Sequence, residues 1–265
     1  MSIFPLEESF AGTSAPMNWR LYGSASMTGQ GWLRLTPAET YKAGTAFLTT
    51  AFPSSPGISV EFELSAYGGK PADGSVGDGV SFYLIDGSKD LNSVGGAGGT
   101  LGYANHHPSQ PGVNNGYIGI GIDRWGAFSD SAKVGTGGAG RSKNHAVIRG
   151  AGDKTTGFPF LTHKPLPTLA LTRAKPTRVY LTIFNEKVTV SVGEQDQFTQ
   201  LIKDYKLPTG SEPTEFKLGL SGTTGAATNI HEIRNFKVTL PTDLSTLGQR
   251  RNSLVVEGYA RHRYS

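Results

Sequence analysis

The sequence predicts an all-β sandwich of antiparallel sheets. Three observations carry this. Apolar and polar residues alternate with period two in several segments, as in strands that lay one face on a core. Gly (36) and Pro (15) are spread along most of the chain while only 17% of residues are charged, which suits short strands joined by turns better than extended disorder. A helical apolar stripe free of Gly and Pro is missing, except weakly around Gln197 to Tyr205.

Taken in order, Ile58 to Leu64 sets Ile58, Val60, Phe62 and Leu64 on one face and Ser59, Glu61 and Glu63 on the other. Gly79 to Ile85 and Tyr117 to Ile122 are nearly continuous apolar runs, suited to strands buried on both faces. Val179 to Val192 reads as two strands around a turn at Asn185-Glu186, and Phe216 to Leu220 and Asn235 to Leu240 complete the set. Gly95 to Gly102 and Gly135 to Gly140 lie between strands; the first is short and flanked by apolar segments, which favours a shaped loop over a linker. The pattern stops after Leu240, so the expected division is one sandwich over 1–240 and a basic tail over 241–265.

Composition excludes several classes. The longest apolar run falls short of the roughly 18 residues a membrane helix needs, and MSIFPLEESF lacks the basic and apolar regions of a secretory signal. With no cysteine there is neither a disulfide framework nor a thiolate metal site. The net charge is +4, but Arg250, Arg251, Arg261 and Arg263 are in the tail, which leaves the body near neutral and without the basic aromatic face of a nucleic-acid binder.

Motifs for catalysis are equally scarce. Glu61 and Glu63 share a strand face, but that face reads as the solvated one. A G-x-S-x-G elbow is missing, and His106 and His107 have no Ser or Cys in a recognisable frame. Gly135-x-Gly137-x-x-Gly140 neither follows a clear strand nor opens a helix, and Arg141 stands where a phosphate-binding loop needs lysine.

Four separated segments, in order, resemble the carbohydrate-binding loops of the L-type lectins, the legume-like family with a concanavalin A-like jelly roll. Gly77-Asp78-Gly79-Val80-Ser81-Phe82-Tyr83-Leu84 is similar to the family's A-D-G-(L/V)-x-F-x-L, whose aspartate accepts hydrogen bonds from two sugar hydroxyls and often follows a cis peptide. A carboxylate suits that task because vicinal hydroxyls present two donors in fixed geometry. Gly98-Gly99-Thr100-Leu101-Gly102 resembles G-G-x-L-G, where a glycine N–H donates to the sugar. Tyr117 to Asp130 resembles the metal-bearing strand and loop, and Thr223 to Ile233 (TTGAATNIHEI) resembles T-T-G-A-x-x-x-x-H-E-(I/V), the loop that sets sugar preference. Arg149-Gly150 with Thr155 to Leu161 adds a likeness to the bacterial branch. The resemblance covers about residues 8 to 240.

The resemblance implies a non-catalytic lectin that meets glycans at the cell surface or outside the cell, neither entering membranes nor binding nucleic acid, and able to raise weak single-site affinity by self-association. It assigns sugar contact to Asp78, Gly98, Gly99, Trp125, Ala226 and Ala227. Trp19 and Trp32 read as packing residues, whereas Trp125 suits either role. For calcium it leaves Asp123, the Trp125 carbonyl, Asp130 and His145, because the family's glutamate and asparagine positions hold Gly121 and Ala127. Calcium takes about six to eight oxygens; the alternative is that Asp123 caps its loop by hydrogen bonds alone. Two other functions remain open: a sandwich that has lost sugar binding and serves as an interaction domain, and a glycan-active enzyme on a related fold. The latter lacks a Glu-x-Asp-x(-x)-Glu strand, since Asp123 has no glutamate beside it.

Overall fold

The computed structural model describes residues 3–106, 109–130, 133–194, 197–208 and 212–241. Two antiparallel sheets pack face to face. The first runs in the order Gln197–Lys206, Lys187–Glu194, Thr177–Phe184, Ile58–Tyr67, Ile230–Thr239, Leu33–Thr36 and Ser26–Met27, with Leu6–Glu8 also paired to Ile230–Thr239. The second runs Thr156–Gly157, Gly152–Asp153, Gly116–Asp123, Gly79–Asp86, Glu215–Thr223, Ala43–Pro53 and Trp19–Gly23, and His145–Arg149 with Phe160–Pro165 extend it beside Gly116–Asp123. The chain passes repeatedly from one sheet to the other, which is the jelly-roll habit.

The alternation in Ile58 to Leu64 is realised directly. Ile58, Val60, Phe62 and Leu64 are at most 2% exposed and face the other sheet, each burial contributing roughly 2 kcal/mol. Glu61 and Glu63 face outward, where Arg178 and Arg234 donate to them. Asn185 and Glu186 turn the next hairpin with φ of 50° and 57°, the left-handed pair of a two-residue turn.

The second sheet is buried on both faces, as its unbroken apolar runs predict. Val80, Phe82, Leu84, Ile118, Ile120 and Ile122 join the core between the sheets. The alternate residues Tyr83 and Ile85 join a second core with Leu101, Tyr103, Phe128 and Phe158, which come from loops covering the sheet's far side. Glycines admit these rings: a Cβ on Gly119 would lie 2.2 Å from the Tyr103 ring, and one on Gly219 2.1 Å from that of Tyr83. This layer of loops, seated on a rigid sheet, carries the candidate site.

Gln197 to Tyr205 is not helical: Gln197–Lys206 is an edge strand hydrogen-bonded to Lys187–Glu194, because backbone pairing outweighs a weak local propensity. The tail expected over 241–265 lies, beyond Pro241, outside the described residues, as does His107. No helix among the described residues is long and apolar enough to cross a membrane. Trp19 packs edge-on against Phe10 and Phe236, and Trp32 is covered by Arg234 with its guanidinium 4.4 Å from the ring centre, so both are packing residues.

Candidate functional site

Asp78 sits where three loops meet. The Gly77–Asp78 peptide is cis, the feature that the family resemblance implied. The Asp78 amide donates to the Thr223 carbonyl at 2.8 Å, and its own carbonyl accepts from the amides of Arg124 (2.8 Å) and Trp125 (3.1 Å). The backbone of one residue thereby ties the 223–226 and 124–130 loops to the start of Gly79–Asp86.

The Asp78 side chain is left polar and unsatisfied. The residue is 3% exposed, and Oδ2 has no hydrogen-bond partner. Burial pushes the carboxyl up to about 7, against the opposing pull of Arg141. Buried polar atoms without partners are uncommon, and their cost is tolerated where a ligand completes them. Glycines keep the approach open: a Cβ on Gly225 would stand 2.9 Å from Oδ2, and one on Gly98 4.0 Å from it.

Asp78, Gly98, Gly99, Trp125 and Ala226 line a single depression of about 360 Å³. Five of the six residues expected at the sugar are thus together. The sixth, Ala227, is 1% exposed and lies beneath, where a Cβ on Gly77 would meet its own at 3.4 Å. His106 and Lys133 also line the depression, and no sequence motif marked either. The Trp125 ring stacks under the Arg141 guanidinium, 4.0 Å away, and Arg141 in turn pairs with Asp73 at 2.6 Å.

Of the four expected metal ligands, Asp123 and His145 are cross-strand partners, but among the described residues no third His, Cys, Asp or Glu side chain is grouped with them to hold a metal ion. Asp123 is fully buried and spends one oxygen on the Gly126 amide (2.7 Å) and the other on that of Phe128 (2.8 Å). The Trp125 carbonyl accepts from Arg141 Nε at 3.2 Å. His145 bonds through Nδ1 to the Lys143 carbonyl and lies tilted against His163, ring centres 4.8 Å apart. Asp130 lines the depression and gives its carbonyl to Arg149. At the family's glutamate position, a Cβ on Gly121 would lie 2.7 Å from the Phe128 ring and 2.8 Å from Leu101, so apolar atoms fill that space. These residues do not fit a calcium site, and Asp123 caps its loop instead.

A cation is nevertheless present. Arg149 is fully buried under the same loop and donates to the carbonyls of Phe128 (2.7 Å), Phe158 (2.8 Å) and Asp130 (3.0 Å). Burial pulls its pKa down to about 10, partly offset by Asp123 and Asp130, so it remains charged at neutral pH. Arg149 enters the sequence only as part of a likeness, because its acceptors on Phe128, Asp130 and Phe158 are brought to its five donors by the folding of the covering loops.

Comparison with solved structures decides the fold. Lectin I-B4 from Griffonia simplicifolia in its metal-free form aligns with a TM-score of 0.63 at 18% identity, over 88% of this chain and 98% of that one. The chain has the L-type lectin fold. The basic winged bean lectin with Tn-antigen superposes at 0.64 with 15% identity, over 90% and 99% of the two chains. The exoplasmic/lumenal domain of VIP36, in a form bound to Ca²⁺ and Man3GlcNAc, superposes at 0.62 with 17% identity, over 90% and 89%. No family model and no curated protein matches the sequence. On this L-type lectin fold the segments that resemble the family's loops are the ones that surround Asp78.

Proposed function

We propose that the depression at Asp78 binds carbohydrate and that the chain is a non-catalytic lectin. The buried Asp78 Oδ2, unpartnered and flanked by glycines, is the observation that carries this reading. Two sugar hydroxyls would donate to the carboxylate, the Gly99 amide would donate to the sugar, and Trp125 and Ala226 would supply apolar contact. Gly98 gives its own amide to the Thr224 carbonyl and contributes by the room it leaves. The neighbours in fold that carry sugars, winged bean lectin and VIP36, support the same class of ligand.

The non-catalytic reading is supported by where the carboxyls lie. Asp123 has both oxygens bonded to amides and no exposed surface, and Glu61 and Glu63 sit on the other sheet in ion pairs. Arg149 supplies positive charge and donors to the carbonyls beneath the loop. A glycan ligand places the protein at a cell surface or outside the cell, and self-association would raise the avidity of so small a site.

A glycan array followed by titration calorimetry tests the proposal. Wild type should bind a subset of sugars, and Asp78→Asn should lose at least tenfold while folding normally. A wild type silent on every glycan would leave an interaction domain on a lectin fold. Release of reducing ends from polysaccharide, abolished by Asp78→Asn, would replace the lectin with a hydrolase in which Asp130 is the second carboxyl of the depression.

A further inference from the structure

Lys133, an exposed residue, lines the same depression as Asp78, and among the described residues no ion pair or hydrogen bond engages its ammonium. The charge around it sets it apart from an ordinary surface lysine. Trp125, which also lines the depression, carries two more cations: the Arg141 guanidinium lies 4.0 Å from its ring centre and the Lys143 ammonium 5.9 Å from it. Both depend on one carboxylate. Asp73 takes Arg141 at 2.6 Å and Lys143 at 3.9 Å, and it is held there by a turn in which Ala72 and Ser75 exchange backbone hydrogen bonds of 2.9 and 3.0 Å. Arg149 adds a fourth cation beneath the loop.

Four carboxyls stand against these four cations: Asp73, Asp78, Asp123 and Asp130. They do not balance them at neutral pH, because burial pushes Asp78 up to about 7 and Asp123 up to about 8. A hollow bordered by a surplus of one sign draws in ligands of the other. A neutral sugar would leave that surplus unused, since it asks only for hydroxyl acceptors and amide donors. The hollow holds about 360 Å³, so a sugar ring with hydroxyls at Asp78 brings its other substituents within reach of the long, flexible Lys133 side chain.

We propose that the sugar held at Asp78 carries an acidic group, a carboxylate or a sulfate ester, and that Lys133 selects it by donating to its charged oxygens. Arg141 and Lys143, fixed on Trp125, supply the field that favours such a glycan. The proposal rests on the lectin reading of the Asp78 depression and adds the charge of the ligand to it.

Calorimetry of the full chain with matched methyl glycosides tests it: glucuronide against glucoside, galacturonide against galactoside, mannuronide against mannoside, and galactoside 6-sulfate against galactoside. The acidic member of a pair should bind about tenfold tighter, as a charge-assisted hydrogen bond predicts. The gap should narrow as salt rises from about 0.05 M to about 0.5 M. Lys133→Met should cut the gap to about twofold without lowering Tm, whereas Lys133→Arg should keep most of it. A uronide ahead of the sulfate names a uronic acid as the group, and the reverse order names a sulfate ester. Neutral sugars bound as tightly as acidic ones, or a Lys133→Met protein with the full gap, would overturn the acidic preference and leave the Asp78 site standing. A wild type that binds no member of any pair and no glycan on an array overturns both.

Discussion

The Asp78 carboxyl and Gly225 are matched in space: a methyl group at Gly225 would stand 2.9 Å from Asp78 Oδ2, closer than a real Cβ approaches such an atom. The glycine therefore leaves room beside that oxygen. Gly225→Ala should weaken glycan binding about tenfold or more while changing Tm little, because the methyl crowds a depression and not a core. Calorimetry paired with a thermal melt checks this, and undiminished binding would show that sugar approaches Asp78 from elsewhere.

The pH dependences of stability and binding should run in opposite directions. Burial raises Asp78 to about 7 and Asp123 to about 8, from an ordinary 3.8, so the folded protein holds protons that the unfolded chain releases. Their stabilising contribution is complete below the ordinary carboxylate range and is lost as pH rises through about 7 and 8. Tm should thus decline from pH 5 to pH 8, less steeply in Asp78→Asn. Sugar hydroxyls donate best to the charged form, so affinity should fall about tenfold per pH unit below 7. A flat binding profile would count against Asp78 as the acceptor.

Neither EDTA nor millimolar calcium should alter Tm or glycan affinity, because Asp123 and the Trp125 carbonyl are satisfied within the protein. Arg149→Met, by contrast, strands several buried carbonyls and should cost about 3 kcal/mol or more, read as a lower urea midpoint. A calcium-dependent rise in Tm of several degrees would restore a metal to this loop.

Reintroducing the family's glutamate should fail. Gly121→Glu would push into the Phe128 ring and Leu101 and bury an unpaired carboxylate, costing several kcal/mol in denaturant unfolding and conferring no metal affinity.

Glu232 should prove a fixed structural charge. Its buried carboxylate accepts from Arg34, Arg173 and Tyr67, and although burial opposes ionisation, the two arginines hold its pKa below the ordinary range. A depressed pKa contributes stability above the unfolded value and loses it as pH falls. Glu232→Gln should therefore destabilise by roughly 3 kcal/mol at neutral pH, and less in acid, with Trp32 beside Arg173 as the fluorescent reporter.

Much of this molecule is written locally. Period-two alternation placed Ile58, Val60, Phe62 and Leu64 inside, and the continuous runs of Gly79 to Ile85 and Tyr117 to Ile122 foretold a sheet covered on both faces. Four motifs in order brought Asp78, Gly98, Gly99, Trp125 and Ala226 to one depression. Such signals are readable because strand periodicity and glycine-bearing turns are properties of neighbours along the chain.

Other features depend on partners far apart in sequence, and only the tertiary structure decided them. Gln197–Lys206 is a strand because Lys187–Glu194 pairs with it. Ala227 turned inward while Ala226 reached the depression, a difference of one residue that no motif encodes. The Phe128 ring took the place of a ligand at Gly121, and Arg149 met carbonyls from three loop positions. Sequence determined the fold and pointed to Asp78; side-chain packing between remote loops decided what surrounds it.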